Sequence, residues 1–205
     1  MKKIEIADVR NLHEYELIRD AWRKEAIAAK ARRRVLVGPA LSLVFENRLT
    51  VLHQVQEMCR VERIVKPEAV QAEIDVYNEL LPGPGEVAAT LFIELPPSAG
   101  IQAELDRFIG LDDGKSLWLE IGGSRAYGRF LEGQARPDRI AAVQFVRFPV
   151  GGGEGMRDAL RASAHTPRGL VEHSEQTWVE VRTLGDLLET RDVDWSTLGM
   201  VLAAL

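Results

Sequence analysis

The sequence has few of the residues from which covalent or metal-centred frameworks are built. Its 205 residues include one cysteine, Cys59, which excludes disulfide frameworks and all-cysteine zinc sites. The four histidines form neither an H-E-x-x-H nor an E-x-x-H motif. No apolar run reaches the roughly 18 residues of a membrane-spanning helix, and the start of the chain lacks the apolar stretch of a secretory signal. These absences predict a cytoplasmic protein without a metal, a cofactor or a membrane partner.

The residues that are present indicate a globular protein. Hydrophobic residues make up 46% and charged residues 28% of the chain, a balance that excludes disorder. A chain of this length buries roughly 70% of the surface that it exposes when unfolded, so it needs no disulfide or metal to be stable. We expect a single domain over 1–205, with a helical part at 1–82, a mainly β part at 86–183 and a helical tail at 184–205.

Charge is distributed unevenly along the chain. Residues 1–34 carry ten basic and six acidic side chains, a balance of +4, whereas the rest carries 16 basic and 25 acidic ones, a balance of −9. A nucleic-acid surface normally brings an excess of positive charge over the whole domain, together with interleaved aromatics. The net charge of −5 and the aromatic content of 6% therefore predict no nucleic-acid partner.

Hydrophobic periodicity predicts three helices in the first part of the chain, because apolar residues recur there at three- and four-residue steps. Asn47 is a typical N-cap for the second helix, and Pro67 suits the first position of the third. The second and third helices form a predicted hairpin. Alternation around Gly38-Pro39 predicts two short strands between the first and second helices. The expected helices span about 13–32, 48–64 and 67–81.

The remainder is predicted to be mostly β. Hairpins and strand runs are mixed with segregated helices rather than alternating as βαβ units. The predicted fold class is therefore α+β, a largely antiparallel sheet with an N-terminal helix and a helical hairpin packed on it. The glycine-rich run at 151–155 is the best candidate linker. The expected strands lie at 87–95, 117–121, 125–130, 140–150 and within 170–182, and further helices at 98–109 and 156–163.

A dense group of polar side chains surrounds the predicted hairpin and forms a candidate ligand-binding site. Thr50, Gln54 and Glu57 fall about one turn apart on a stripe that continues the line of Asn47, and such a stripe can line a polar cleft. Arg48 offers a bidentate fork for a carboxylate or phosphate. The competing interpretation is an ordinary solvated helix face with ion pairs along it. The candidate ligand-binding residues are Glu46, Asn47, Arg48, Gln54, Gln56, Glu57, Tyr77 and Asn78.

Histidine and cysteine give weaker indications of chemistry. His53 lies four residues before Glu57 on a helix and could share a metal with it, and His165 and His173 could converge across a turn. Such spacings are common by chance, so no metal ligand and no catalytic residue is assigned. Cys59 falls on the apolar face of its helix, where a buried thiol is normally inert.

Four segments carry a family resemblance: 31–39, 45–48, 53–64 and 77–82. They resemble an uncharacterised bacterial domain-of-unknown-function family of similar length. Genes of that family often lie beside those for rubrerythrin-like di-iron proteins and heterodisulfide-reductase-like iron–sulfur proteins. The resemblance implies an accessory role in redox, peroxide or sulfur metabolism, with a di-iron or iron–sulfur redox protein as the partner. It does not imply that this chain itself holds iron.

Taken together, the pattern favours a non-enzymatic cytoplasmic accessory or binding protein whose polar hairpin surface engages a small polar ligand or a redox partner. The alternative is an enzyme in which Glu57 is a general base and Arg48 an anion clamp for a small polar substrate. A further expectation concerns assembly. The apolar segment 198–205 predicts a homodimer unless it packs on the core of its own chain.

Overall fold

The computed structural model describes residues 1–37, 40–121, 124–132 and 138–150, together with the backbone of 159–164 and 182–183. These residues divide into two compact units. A helical unit contains Met1–Arg32 and Glu46–Pro82, and a β-rich unit contains Arg33–Phe45 and the described residues from Gly83 onward. The organisation of the chain as a single domain stays a prediction.

The helical unit consists of a 3-10 turn, Ile6–Asp8, and three helices: α1 (Leu12–Arg32), α2 (Arg48–Val61) and α3 (Pro67–Asn78). All three helices were predicted, and their first residues agree closely with the expected starts. The second and third helices end about three residues earlier than predicted. α2 packs against both α1 and α3.

Two local signals determine where α2 and α3 begin. The Asn47 side chain accepts a hydrogen bond from the Thr50 amide at 2.9 Å, and the Thr50 hydroxyl accepts one from the Asn47 amide at 2.9 Å. This reciprocal arrangement satisfies donors that a helix start leaves without partners, and it confirms Asn47 as the N-cap. Pro67 is the first residue of α3, where its fixed φ is compatible with a helix and no amide is lost. After α2, Arg63 has a φ of 53°, which is incompatible with a continued helix.

The β-rich unit contains two sheets in which every described strand pair is antiparallel. The strands are β1 (Arg34–Val37), β2 (Leu41–Phe45), β3 (Glu86–Ile93), β4 (Leu117–Ile121), β5 (Ser124–Tyr127), β6 (Arg129–Phe130), β7 (Val143–Pro149), β8 (Ala159–Ala164) and β9 (Arg182–Thr183). The strand order is β1-β2-β3-β7-β6 in one sheet and β5-β4-β8-β9 in the other. A short helix, α4 (Ile101–Leu105), and a 3-10 turn, Asp106–Phe108, connect β3 to β4.

The two sheets share one hydrophobic core, because alternate residues of each strand point to the same side. Leu43 and Leu91 come from neighbouring strands of the larger sheet, and Leu117 and Leu119 come from the smaller sheet; all are essentially inaccessible to solvent. At the base of the β1–β2 hairpin, the Arg33 Nε donates to the carbonyl of Phe45 at 2.6 Å. This buried contact closes the hairpin.

Gly128 explains why the strand expected over 125–130 is divided. Its amide donates to the carbonyl of Leu117 at 2.8 Å, and the chain there passes from β5 in one sheet to β6 in the other. A Cβ at this position would lie 2.8 Å from Val146 Cγ2 and 3.2 Å from the Phe148 ring. Only a residue without a side chain allows so close an approach.

The fold class is confirmed as α+β with a largely antiparallel sheet and an N-terminal helix. The helix expected over 156–163 is wrong within the described residues, because 159–164 forms β8 and pairs with β4. Alanine-rich sequence favours a helix locally, but sheet pairing outweighs that preference. The expected helix at 98–109 is reduced to α4 and the 3-10 turn that follows it. The run at 151–155, the segment 198–205, and His165 and His173 lie outside the described residues.

Candidate functional site

All eight candidate ligand-binding residues lie in the helical unit, and most of them are buried. Side chains of this kind need hydrogen-bond partners when water is removed. The structure supplies such partners within the helical unit, and it divides the candidates into separate groups. Buried are Glu46, Asn47, Arg48, Gln56 and Asn78; half-buried are Gln54, Glu57 and Tyr77.

Two of the buried amides hold the chain that precedes α1. Gln56 accepts from the Arg10 amide at 2.9 Å and donates to the Arg10 carbonyl at 2.8 Å. Asn78 accepts from the Ile4 amide at 2.8 Å and donates to the Ile4 carbonyl at 3.0 Å. Each side chain therefore pairs with both polar groups of one residue, as a neighbouring β-strand would. Sequence separations of 46 and 74 residues made these contacts unpredictable.

Arg48 holds the same segment through an ion pair. Its Nη2 lies 2.5 Å from Oδ2 of Asp8, and the Arg48 side chain is only 9% exposed. Burial opposes ionisation of Asp8, but hydrogen bonds from Arg48 and from the Glu5 amide outweigh it and lower the pKa of Asp8. We refer to Arg48, Gln56 and Asn78 as the N-terminal clamp, since together they bind residues 4, 8 and 10.

The candidates at the start of α2 make local contacts. Asn47 is the N-cap, and the Thr50 hydroxyl donates to the carboxylate of Glu46. The Gln54 side chain donates to the carbonyl of Thr50 at 3.3 Å. These contacts stabilise the first turns of the helix.

Glu57 is the centre of a second group, which joins α1 to α2. Its Oε1 accepts a hydrogen bond from the Tyr15 hydroxyl at 2.5 Å and one from Arg19 Nε at 2.8 Å. Its Oε2 accepts from Arg19 Nη2 at 3.0 Å and from Arg60 Nη2 at 3.4 Å. We call Tyr15, Arg19, Glu57 and Arg60 the Glu57 network. Tyr15 and Arg19 were not predicted; their four-residue spacing on the first helix was the available signal.

The Glu57 network fixes the protonation of its members. The bidentate bond from Arg19 is the largest influence on Glu57; burial opposes it, and the bonds from Tyr15 and Arg60 add to it. The result is a pKa of about 2 for Glu57. Burial, together with the bond to Glu57, raises the pKa of Tyr15. Glu57 is therefore an anion and Tyr15 a neutral donor at physiological pH.

This geometry bears directly on the enzyme interpretation. A carboxylate with a pKa near 2 is a weak proton acceptor at neutral pH, whereas a general base works best with a pKa near the operating pH. Arg48 pairs with Asp8 and Glu57 with Arg19, so the proposed base and the proposed anion clamp belong to different groups.

Next to the Glu57 network lies a stack of rings. Trp22 contacts Tyr15 and His53 edge to face, with ring centroids 5.3 and 5.8 Å apart. His53 Nε2 is buried and has no hydrogen-bond partner among the described residues. Burial is the largest influence on His53, followed by the nearby charge of Lys30, and its pKa falls to about 4. The described part of the chain contains no group of three or more potential metal ligands.

Tyr77 lies on α3, close to Cys59 of α2. Burial raises the pKa of Tyr77, and the neighbouring carboxylate of Glu73 contributes to the increase. Burial, again with Glu73, also raises the pKa of the Cys59 thiol. A buried thiol held in its neutral form is a poor nucleophile, in agreement with the expectation for Cys59.

Comparison with known proteins places the chain in a family. The profile of a family described as "Protein of unknown function (DUF3501)" matches residues 3–183. The chain belongs to this family. It is also similar to the crystal structure of a novel protein of unknown function from Burkholderia pseudomallei, with 26% identity and a TM-score of 0.76 over 91% of this chain and 100% of that one. No curated protein matches the chain significantly. The expected membership of an uncharacterised family is thereby confirmed.

Within the described residues, no helix is both long and apolar enough to cross a membrane.

Removal of one clamp residue should release the start of the chain. Asn78→Ala leaves the buried amide and carbonyl of Ile4 without their partners, so we expect a loss of about 1–3 kcal/mol in the free energy of unfolding. Hydrogen exchange of the amides at 4–10 should accelerate in the same variant. Gln71→Ala is the control, because Gln71 is an exposed amide on the same helix whose side chain donates to Asp75 and not to the N-terminal segment that the structure describes. Unchanged exchange at 4–10 in Asn78→Ala would contradict the clamp.

The unusual pKa values of His53 and Glu57 predict two stages of acid destabilisation. The folded chain keeps His53 neutral, so its contribution to stability is complete above pH 6.5 and declines as the pH falls from 6.5 towards 4. The decline is at most about 1.4 kcal/mol per pH unit. The contribution of Glu57 is complete above pH 4.5 and is lost as the pH falls towards 2.

Denaturation at a series of pH values tests this order. His53→Leu should flatten the stability profile between pH 6.5 and 4.5 and leave the decline at lower pH in place. His13→Gln, which changes an exposed histidine of α1, serves as the control and should keep the decline that His53→Leu removes. A profile that is the same in His53→Leu and the unmodified chain would refute the assignment.

Proposed function

We propose that this chain is a non-enzymatic accessory protein that binds a redox partner through the Glu57 network. The observation that carries the proposal is the arrangement of the two arginines around one carboxylate. The side chains of Arg19, Glu57 and Arg60 are 25%, 24% and 28% exposed, so each is held by its neighbours and still reaches the surface. A cytoplasmic location and a role in redox, peroxide or sulfur metabolism form part of this proposal.

Charged side chains that are held in one conformation are well suited to binding a partner protein. Arg19 uses Nε and Nη2 to bind Glu57, and no hydrogen bond from its Nη1 is found within the described residues. The Nη1 protons are thus positioned to donate to a carboxylate or carbonyl of a partner. Because the guanidinium is already ordered, binding costs less side-chain entropy than it would for a mobile arginine.

A binding role also accounts better for the protonation of the site than the enzyme alternative does. The same hydrogen bonds that order Glu57 lower its pKa and so weaken it as a base. The clamp residues are occupied by the N-terminal segment. The resemblance of the sequence to a family with di-iron and iron–sulfur proteins as gene neighbours makes those proteins the first partners to test.

The test measures binding of the full chain to a purified rubrerythrin-like di-iron protein and to a purified heterodisulfide-reductase-like iron–sulfur protein. We expect one of them to bind, and the double variant Arg19→Gln, Arg60→Gln to weaken the Kd at least about tenfold, the equivalent of roughly 1.4 kcal/mol. Biolayer interferometry with the immobilised chain provides the measurement. Arg107→Gln removes an exposed arginine of the β-rich unit and is the matched control.

Two results would overturn the proposal. The first is that neither redox protein binds the unmodified chain. The second is that one binds with the same Kd for the double variant as for Arg107→Gln, since binding would then use another surface.

A further inference from the structure

Two of the three contacts of the N-terminal clamp are made with backbone groups. Asn78 pairs with the amide and the carbonyl of Ile4, and Gln56 pairs with those of Arg10. Every residue except proline offers the same two backbone groups, so a side-chain amide placed in this way accepts almost any residue at that position. These two contacts therefore recognise a peptide chain without reading its sequence.

Two further features of the bound segment depend on its side chains. Ile4 is 2% exposed, so the segment places one aliphatic side chain in the interior. Asp8 pairs with Arg48, and the same carboxylate oxygen accepts a hydrogen bond from the Glu5 amide at 2.8 Å. The second bond caps the 3-10 turn Ile6–Asp8. The helical unit thus selects an aliphatic residue that is followed four positions later by an aspartate.

The segment that fills the clamp is lightly held. We call residues 4–10 the strap. The amides of Asp8 and Val9 bond to carbonyls inside the strap. Within residues 1–10, Ile4 alone is buried, and segments with few buried apolar side chains open at a small cost in free energy. The exposed residues of this part of the chain are Met1, Lys2, Lys3, Glu5, Ile6 and Ala7.

The clamp residues, in contrast, need an occupant. Gln56 is fully buried, and Arg48 and Asn78 are each 8% exposed. When the strap opens, these polar side chains lose the partners that compensate for their burial, and such a loss is unfavourable. An opened clamp therefore favours the binding of any peptide that restores the same hydrogen bonds and the same ion pair.

We propose that the N-terminal clamp is a peptide-binding site. The strap fills it in the chain alone, and a segment of a different protein takes its place in a complex. That segment carries an aliphatic residue followed four positions later by an aspartate, and it has no proline at the two positions whose backbone the amides bind. The strap is a competitor within the same chain, which limits binding to segments that fit better than the strap does. The site shares no residue with the Glu57 network, so the proposal goes beyond the binding of a redox partner there.

A different protein is favoured over a second copy of this chain as the source of the segment. A second copy brings an identical strap, which makes the same contacts in the clamp. The chain's own strap competes with it at an effective concentration of the order of 1 mM, because it is joined to the clamp by a short connection. A different protein can carry a segment that fits the clamp better and so displace the strap at a lower concentration.

The experiment uses a fluorescein-labelled peptide with the sequence of residues 1–11, and fluorescence anisotropy measures its binding. The full-chain variant Ile4→Ser, Asp8→Ser has a weakened strap and an unchanged clamp. We expect this variant to bind the peptide at least about tenfold more tightly than the unmodified chain, in which the strap competes. Adding Asn78→Ala to the variant should weaken binding at least about tenfold, because the hydrogen bonds to the first aliphatic residue are lost. A peptide with the same two serine substitutions is the control and should bind at least about tenfold more weakly.

A second measurement uses the unmodified chain and so does not depend on the folding of a variant. The chain is labelled with 15N, and the unlabelled peptide is added to about 5 mM, above the effective concentration of the strap. We expect the peptide to displace the strap and to accelerate hydrogen exchange of the Ile4 and Arg10 amides, which lose their clamp partners. The serine-substituted peptide should leave their exchange unchanged.

Four results would overturn the proposal. The first is a folded strap variant, as judged by circular dichroism, that binds the peptide no more tightly than the unmodified chain does. The second is equal binding of the serine-substituted peptide, and the third is unchanged exchange at Ile4 and Arg10 in about 5 mM peptide. The fourth is a dimer of the unmodified chain in sedimentation velocity that Asn78→Ala abolishes, since the second copy would then be the occupant.

Discussion

The helical unit depends on the hydrogen bonds that the Glu57 carboxylate accepts. Their donors, Tyr15 and Arg19, precede Glu57 by 42 and 38 residues, so these bonds bring two distant parts of the chain together. Between them the chain leaves the helical unit to form the β1–β2 hairpin of the other unit. Closing so long a connection costs entropy, and the contacts at Glu57 and in the ring stack of Tyr15, Trp22 and His53 offset that cost.

Polar residues in the helical unit have two roles, one in holding the unit together and one in binding a partner. The N-terminal clamp binds backbone groups of the segment before α1, and its amide side chains use their hydrogen-bonding groups for these contacts. The Glu57 network also satisfies its own members, but it stays about one quarter exposed. The candidates that form one polar group in the sequence therefore belong to two sets. The N-terminal clamp holds the segment before α1, whereas the Glu57 network can still contact a partner. That separation is the basis for placing recognition at Arg19 and Arg60.

The sequence signals that succeeded are local ones. Asn47 and Pro67 fix the first turns of their helices through contacts within four residues, so they can be read without knowledge of the fold. The signals that failed depend on distant contacts. Gly128 separates two sheets because of Val146 and Phe148, and the 159–164 segment is a strand because β4 lies beside it. The same limit applies to the site: all eight candidates lie in one unit, but their partners at residues 4, 8, 10 and 15 come from segments that no spacing rule connects to them.

In the folded chain Glu57 is an ionised carboxylate held by Tyr15 and Arg19. The most direct measurement is an NMR titration of the Glu57 side-chain carboxyl carbon in the full chain. The structure predicts a pKa of about 2, and a higher pKa in the Tyr15→Phe and Arg19→Gln variants. A value close to the ordinary 4.5 in the unmodified chain would contradict it, because the hydrogen bonds that join α1 to α2 could not then be made as described.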